Sequence, residues 1–225
     1  MSEHAGSMDA EIAGEVLILL PERAAYWPRK RTLLVADPHW GKAASFRAGA
    51  IPVPRGTTTG GLDRLAAIVS QTGATRIVFL GDFLHSRDGR APETTRALTI
   101  WRQAHSGLDL VLVPGNHDRR AGLPDASLGM TCLDAPLLAH PFVLAHHPVP
   151  SDLGYTLAGH LHPGVSLTGP GRLHERLPCF WFGRGYGVLP AFGEFTGLAA
   201  VRPEAGDRVI AIAGAQVLEV TVSGR

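Results

Sequence analysis

Asp37-x-His39, Gly81-Asp82-x-x-His85, Gly115-Asn116-His117-Asp118, His146-His147 and Gly159-His160-x-His162 follow one another along the chain as short polar clusters. Carboxylates, an amide oxygen and imidazoles all bind metal, and together they suffice for two cations with mixed oxygen and nitrogen ligands. Asp37 and His39 stand two residues apart, so an extended backbone points both side chains the same way and both can grip one cation. His160 and His162 repeat that spacing between Gly159 and Pro163. The two oxygens of Asp82 can each face a different cation. Asn116 adds a neutral amide oxygen after Pro114-Gly115, a pair that turns the chain sharply. Imidazole mixed with carboxylate suits manganese, iron or zinc better than the all-oxygen cages of magnesium or calcium. A lone Asp-x-His says little, because both residues form turns at strand ends. The joint occurrence is the signal.

Something must hold these clusters at one place. The first three follow apolar runs at 32–36, 76–80 and 108–113, rich in Val, Ile and Leu and too short for helices. Such runs predict buried strands, which deliver ligands from their carboxyl ends along one edge of a sheet. Glu15 to Leu20 and Thr32 to Asp37 read as an antiparallel pair joined by residues 21–31. Leu62, Leu65, Ile68 and Val69 keep helical spacing up to Gly73, and a second helix runs from Pro92 through Leu98 and Trp101 to Gly107. Beyond residue 130 the pattern becomes short strands, at 142–146, 155–159, 165–168, 179–182, 197–201, 209–212 and 216–220. The first half reads as α/β and the second as mostly β, with no repeat or linker between them. Residues 13–225 are therefore expected to form one domain after a polar, frayed terminus at 1–12.

The chain has 225 residues, of which 45% are hydrophobic and 18% charged, the composition of a globular protein. No apolar stretch approaches the ~20 residues of a membrane helix. Val16 to Leu20 is too short for a signal-peptide core, so a cytoplasmic location is the expectation. Cys132 and Cys179 lack C-x-x-C spacing and are expected to be reduced thiols. A net charge of +1 says little about nucleic acid, where a clustered basic face matters more than a total. Apart from Lys30 and Lys42 the basic side chains are arginines, and Arg47, Arg87 and Arg119 each follow a cluster. Guanidinium forks suit phosphate oxygens, while a general bias toward Arg and Ala is the competing reading.

The ordered set resembles the calcineurin-like metallophosphoesterase superfamily, with its D-x-H, G-D, G-N-H-D/E, later His and G-H-x-H. More narrowly, residues 36–43, 80–86, 158–163 and Pro190-Ala191-Phe192-Gly193 resemble the bacterial DNA ligase-associated, DNA-damage-response phosphoesterases, described as endonucleases. The similarity runs from about Gly14 to Val220. It implies an α/β fold built as a β-sandwich flanked by helices in αββα layers, with a dimetal site at the carboxyl ends of the strands. It also implies two divalent metals, manganese first with iron or zinc as alternatives, DNA that is single-stranded or at its ends as substrate, and a functional link to a DNA ligase and a helicase.

By that resemblance Asp37, His39, Asp82 and His162 hold one metal, and Asp82, Asn116, His146 and His160 the other. His146 is taken over His147 because it ends the apolar run; His147 is the alternative. His117 faces the scissile phosphate, with Asp118 as its orienting partner. His85 resembles a histidine of SbcD-type repair nucleases that lies near the substrate phosphate, against the alternative of a surface-loop histidine. The implied chemistry is in-line attack by a metal-activated hydroxide, with His117 serving the leaving oxygen. The expected activity is DNA phosphodiester hydrolysis. An enzyme acting on a small nucleotide or phosphoester comes second, and a non-catalytic scaffold of the same fold comes last.

Overall fold

Side chains alternate across a strand, so a sheet buried on both faces needs apolar residues at every position. Leu33–Val35, Ile77–Leu80 and Leu110–Val113 meet that demand, and the computed structural model, which describes residues 4–50, 53, 56–86, 90–168 and 174–221, shows how. The first sheet runs in sequence order: β1 (Met8–Ile12), β2 (Glu15–Leu20), β3 (Ala24–Trp27), β4 (Thr32–Val35), β5 (Arg76–Leu80), β6 (Asp109–Val113) and β7 (Thr131–Cys132). Strands β1 to β4 pair antiparallel and β4 to β7 parallel. Leu33, Val35, Ile77, Phe79, Leu110 and Leu112 pack on the helices, while Leu34, Val78, Leu80, Val111 and Val113 pack on the second sheet.

The helices are α1 (Lys42–Ala48), α2 (Thr57–Thr72), α3 (Pro92–Ala104) and α4 (Asn116–Ala121) among the described residues. Helix α2 buries Leu62, Leu65 and Ile68, and α3 buries Leu98 and Trp101, both against the first sheet. The second sheet holds β8 (Leu137–Ala139), β9 (Phe142–Leu144), β10 (Tyr155–Ala158), β11 (Pro163–Thr168), β12 (His174–Phe182), β13 (Tyr186–Val188), β14 (Ala199–Ala200), β15 (Arg208–Ala213) and β16 (Gln216–Val220). Strands β9, β10 and β13 are mutually parallel, so their carboxyl ends lie together. A parallel bridge between Ala36 and Ala191 ties this end of the second sheet to the end of β4.

The structure departs from the sequence expectations in two places. Met8–Ile12 is a strand whose five residues pair with β2, so the frayed terminus does not extend to residue 12. Ala10 and Ile12 are buried there in the core between the sheets. The four buried residues of β3 lie between β2 and β4, so those two strands are not neighbours. A strand of only four residues set between Pro21 and Pro28 leaves little periodic signal. The helical cover lies on the first sheet. On the outer side of the second, the cluster around Val165, Cys179, Val209 and Ala211 contains no helical residue among those described. Strand β12 pairs with β11 at one end and with β13 and β15 at the other.

Candidate metal centre

Each polar cluster sits just past the carboxyl end of a strand in a parallel array. Asp37 and His39 follow β4, Asp82 follows β5, Asn116 opens α4 after β6, His146 follows β9, and His160 follows β10. Asp37, His39, Asp82, His160 and His162 all have φ between 47° and 70°, the left-handed region. Non-glycine residues held there cost on the order of 1–3 kcal/mol each and gather at functional sites. The turns are fixed across strands, with His39 N–H donating to the Asp82 carbonyl at 2.9 Å and Trp40 N–H to Phe83 at 2.8 Å. Two glycines permit the crowding. A Cβ on Gly81, at φ +84°, would fall 2.0 Å from His146 Nδ1, and one on Gly115 would fall 2.2 Å from Asp82 Oδ1.

The donors converge in two groups. In the first, His39 Nε2 lies 3.3 Å from His162 Nε2 and 3.7 Å from Asp82 Oδ2, and His162 Nε2 lies 3.7 Å from Asp37 Oδ2. In the second, His146 Nε2 lies 3.0 Å from Asn116 Oδ1, 3.1 Å from His160 Nδ1 and 3.5 Å from Asp82 Oδ1. Asp82 thus turns one oxygen to each group. The Nδ1–H of His146 donates to the Leu80 carbonyl at 3.0 Å, which leaves Nε2 as a bare acceptor facing the cluster. His147 is exposed, with its ring centroid 4.3 Å from that of His160, while His146 is buried.

These groups suit a cation electrostatically. Asp37 is fully buried; its Oδ2 accepts from His160 N–H at 2.7 Å, but its Oδ1 accepts no hydrogen bond and stands 3.5 Å from His146 Nδ1, whose proton goes to the Leu80 carbonyl. Burial, and then the neighbouring Asp82, hold the Asp37 carboxyl well above the ordinary carboxylate range. An unpaired buried carboxylate oxygen is costly, and a bound cation removes the cost. Burial also pushes His39 down to about 2, and His146 and His162 to about 4. The rings are therefore neutral near pH 7, the state that binds metal.

His117 stands beside both groups. Its N–H donates to Asp82 Oδ1 at 2.9 Å, its ring Nδ1–H donates to the His85 carbonyl at 2.6 Å, and its side chain is 34% exposed. The ring stacks on His85 at 5.3 Å and meets His39 edge-on at 5.0 Å. His85 is half-buried with Nδ1 3.5 Å from His39 Nδ1, which places it at the centre instead of on a surface loop. Asp118 requires a correction. Its carboxylate accepts from Leu84 N–H at 3.1 Å and Gly115 N–H at 2.9 Å, so it ties the start of α4 to the loop after β5. Among the described residues the His117 ring is oriented by the His85 carbonyl, and Asp118 acts on it only through the backbone.

Of the arginines, Arg47 pairs with Glu93 on α3, Arg119 is exposed on α4, and Arg87 lies outside the described residues. Lys42 was missed by the sequence reading. It is half-buried at the start of α1, and its charge helps to depress His39, His85 and His162. Its signal was available: one of two lysines in an arginine-rich chain, three residues after His39.

A buried dinuclear donor set at the carboxyl edge of a two-sheet sandwich defines a metal-dependent phosphoester hydrolase. The chain belongs to the calcineurin-like phosphoesterase family, whose pattern matches residues 30–162 and so spans every cluster from Asp37 to His162. Among solved structures it is similar to the Pseudomonas putida nuclease MPE, at 41% identity over 95% of this chain and 100% of that one, with a TM-score of 0.84. More distant are the Escherichia coli phosphoesterase Yfce, at 13% identity over 85% of this chain and 99% of that one (TM-score 0.40), and the Aquifex aeolicus protein AQ665, at 16% over 58% and 78% (TM-score 0.41). No curated protein matches.

Proposed function

We propose that this chain is a metal-dependent phosphodiesterase that cleaves DNA, with a role in repair or end processing and manganese as its working metal. Asp37, His39, Asp82 and His162 would hold one cation, and Asp82, Asn116, His146 and His160 the other. The observation that carries the reading is Asp82, whose two oxygens face two separate donor groups. Bound there, two divalent cations supply Lewis acidity toward the phosphate and lower the pKa of a water.

The chain's own side chains do the rest. His117 is partly exposed and held through its Nδ1–H, so Nε2 is the nitrogen left for the substrate, and with both ring nitrogens protonated it donates to a phosphate oxygen or the leaving oxygen. His85 backs that ring and carries the carbonyl that orients it. Lys42 adds a fixed positive charge beside the phosphate, and Arg119 lies on the same helix as His117. Similarity to a nuclease over nearly the whole chain supports a nucleic-acid substrate over a small ester.

The test is metal-reconstituted protein assayed side by side on single-stranded DNA, duplex DNA, bis-p-nitrophenyl phosphate and p-nitrophenyl phosphate, with manganese, zinc and iron in turn. DNA cleavage with manganese is expected to exceed monoester hydrolysis by orders of magnitude. Turnover of the monoester alone would overturn the nuclease reading and leave the phosphoester hydrolase in place.

A further inference from the structure

The Pro190-Ala191-Phe192-Gly193 motif has no side chain that could ligate a metal or donate to a substrate. Its backbone reaches the metal centre instead. Ala191 forms a parallel bridge with Ala36, the Phe192 N–H donates to the Ala36 carbonyl at 2.8 Å, and the Gly193 N–H donates to the Asp37 carbonyl at 3.1 Å. These bonds grip the chain where it enters the left-handed turn at Asp37, whose φ is 49°. The approach is close enough to require glycine. A Cβ on Gly193 would fall 2.5 Å from the Pro38 carbonyl oxygen.

Two arginines hold the same two residues by their carbonyls. Arg64 of α2 donates to the Phe192 carbonyl, with its guanidinium carbon 4.2 Å from the centre of the Phe192 ring, and Arg23, in the turn between β2 and β3, donates to the Gly193 carbonyl at 3.4 Å. Arg64 also pairs with Glu194 at 3.5 Å. Burial lowers the pKa of both guanidiniums, and the charge of Arg23 lowers that of Arg64 further, while Glu194 opposes the shift at both. Holding two like charges together, partly out of water, costs stability. What the pair holds is the backbone that turns Asp37 into the centre.

We propose that Arg64, assisted by Arg23, is a positioning residue for the first cation: it holds residues 192–193, these hold the turn at Asp37, and the Asp37 carboxylate is thereby preset beside His39 and His162. The inference rests on the two-cation reading and extends it to side chains that supply no ligand. The second donor group, Asn116, His146 and His160 with Asp82, does not use Asp37 as a ligand, so the effect falls on one site.

The experiment follows manganese binding to the full chain by isothermal titration calorimetry and electron paramagnetic resonance, in wild type, Arg64→Met, Arg64→Lys, Gly193→Ala and, as a control on the same helix, Leu65→Ala. Wild type is expected to bind two manganese ions and give a spin-coupled spectrum. Arg64→Met and Gly193→Ala should weaken one of the two sites by about 10- to 100-fold, the usual cost of losing support behind a ligand, so that a mononuclear signal appears at metal concentrations that fill both sites of wild type. Arg64→Lys should recover part of the loss, because an ammonium can still donate to the Phe192 carbonyl, and Leu65→Ala should move neither site. With enough manganese to refill the weakened site, Arg64→Met should regain near wild-type kcat and KM on bis-p-nitrophenyl phosphate. Wild-type affinity at both sites in Arg64→Met overturns the proposal, as does an equal loss in Leu65→Ala, which would mark a general effect of stability, or a raised KM that metal does not correct, which would make Arg64 a substrate contact. Should Arg64→Met fail to fold, Arg64→Lys and Gly193→Ala decide. A wild type that binds fewer than two manganese ions removes the two-cation reading itself, whereas an unaffected Arg64 variant removes only the positioning role.

Discussion

His117 donates a hydrogen bond to Asp82 from its backbone N–H, while its ring Nε2 stands 4.0 Å from Asp82 Oδ2. His117→Ala therefore keeps the bond that orients the carboxylate shared by the two donor groups, and metal content should stay near wild type. Turnover should fall by ~10²-fold or more, the cost of a lost proton donor or transition-state contact. Loss of metal in proportion to activity would make His117 a ligand instead. Asp37 carries the pH prediction. Its carboxyl is raised above the ordinary 3.8, so in the metal-free protein its ionisation opposes folding, and the penalty grows as pH rises through the raised value. Asp37→Asn should thus be more stable than wild type without metal at pH 7–8, by about 1–3 kcal/mol, with the gap closing toward pH 4. The buried histidines act with the opposite sign: their depressed values let the unfolded chain take up protons first below about pH 6.5, so they withdraw stability in acid from both proteins alike. Denaturant titrations under chelation across that range supply the check, and a variant less stable than wild type at pH 8 would refute the assignment of Asp37 as an uncompensated charge.

At the scale of elements, the strands and helices do separable work. Helix α2 holds the first sheet's outer face through Leu65, which is fully buried. Leu65→Ala should cost about 2–5 kcal/mol of stability and leave metal stoichiometry unchanged, because the cavity opens away from the centre. The turn after β5 behaves in the reverse way. Gly81→Ala places a methyl group into the His146 ring in a backbone conformation that alanine disfavours, so metal binding should fall even where the fold survives. Calorimetric unfolding and metal analysis on the same samples separate the two effects. Equal metal loss in both variants would mean that the centre depends on global stability and not on the geometry of the turn.

Over the whole molecule, the donors come from both layers of the sandwich. Asp37, His39, Asp82 and Asn116 follow strands of the first sheet, whereas His146, His160 and His162 belong to the second half of the chain. Bound cations would fasten the two layers at one edge. Chelation should therefore lower the unfolding temperature, by about 5–10 °C when the starting metal concentration is a hundredfold above Kd, from ~2.7 kcal/mol of linkage in a chain of this size. Differential scanning calorimetry with and without chelator measures it, and an unmoved transition would argue against a metal that joins the sheets.

The division between local and long-range physics explains what could be read in advance. The five clusters, the apolar runs of β4, β5 and β6 and the helices α2 and α3 are local patterns, set by side-chain alternation, helical spacing and turn chemistry within a few residues. These determined the α/β character of the first half, the parallel strands and the set of residues available to a metal. Tertiary structure decided what those patterns leave open. Asp118 takes its hydrogen bonds from Gly115 and from Leu84, 34 residues away, a partnership no local motif encodes. Arg47 is turned to Glu93 on α3, and Lys42 stands at the centre because the turn that opens α1 is bonded to the loop after β5. Donor identity is a property of the sequence, whereas donor distance depends on how strands far apart in the chain align, and only the packed sandwich sets that alignment.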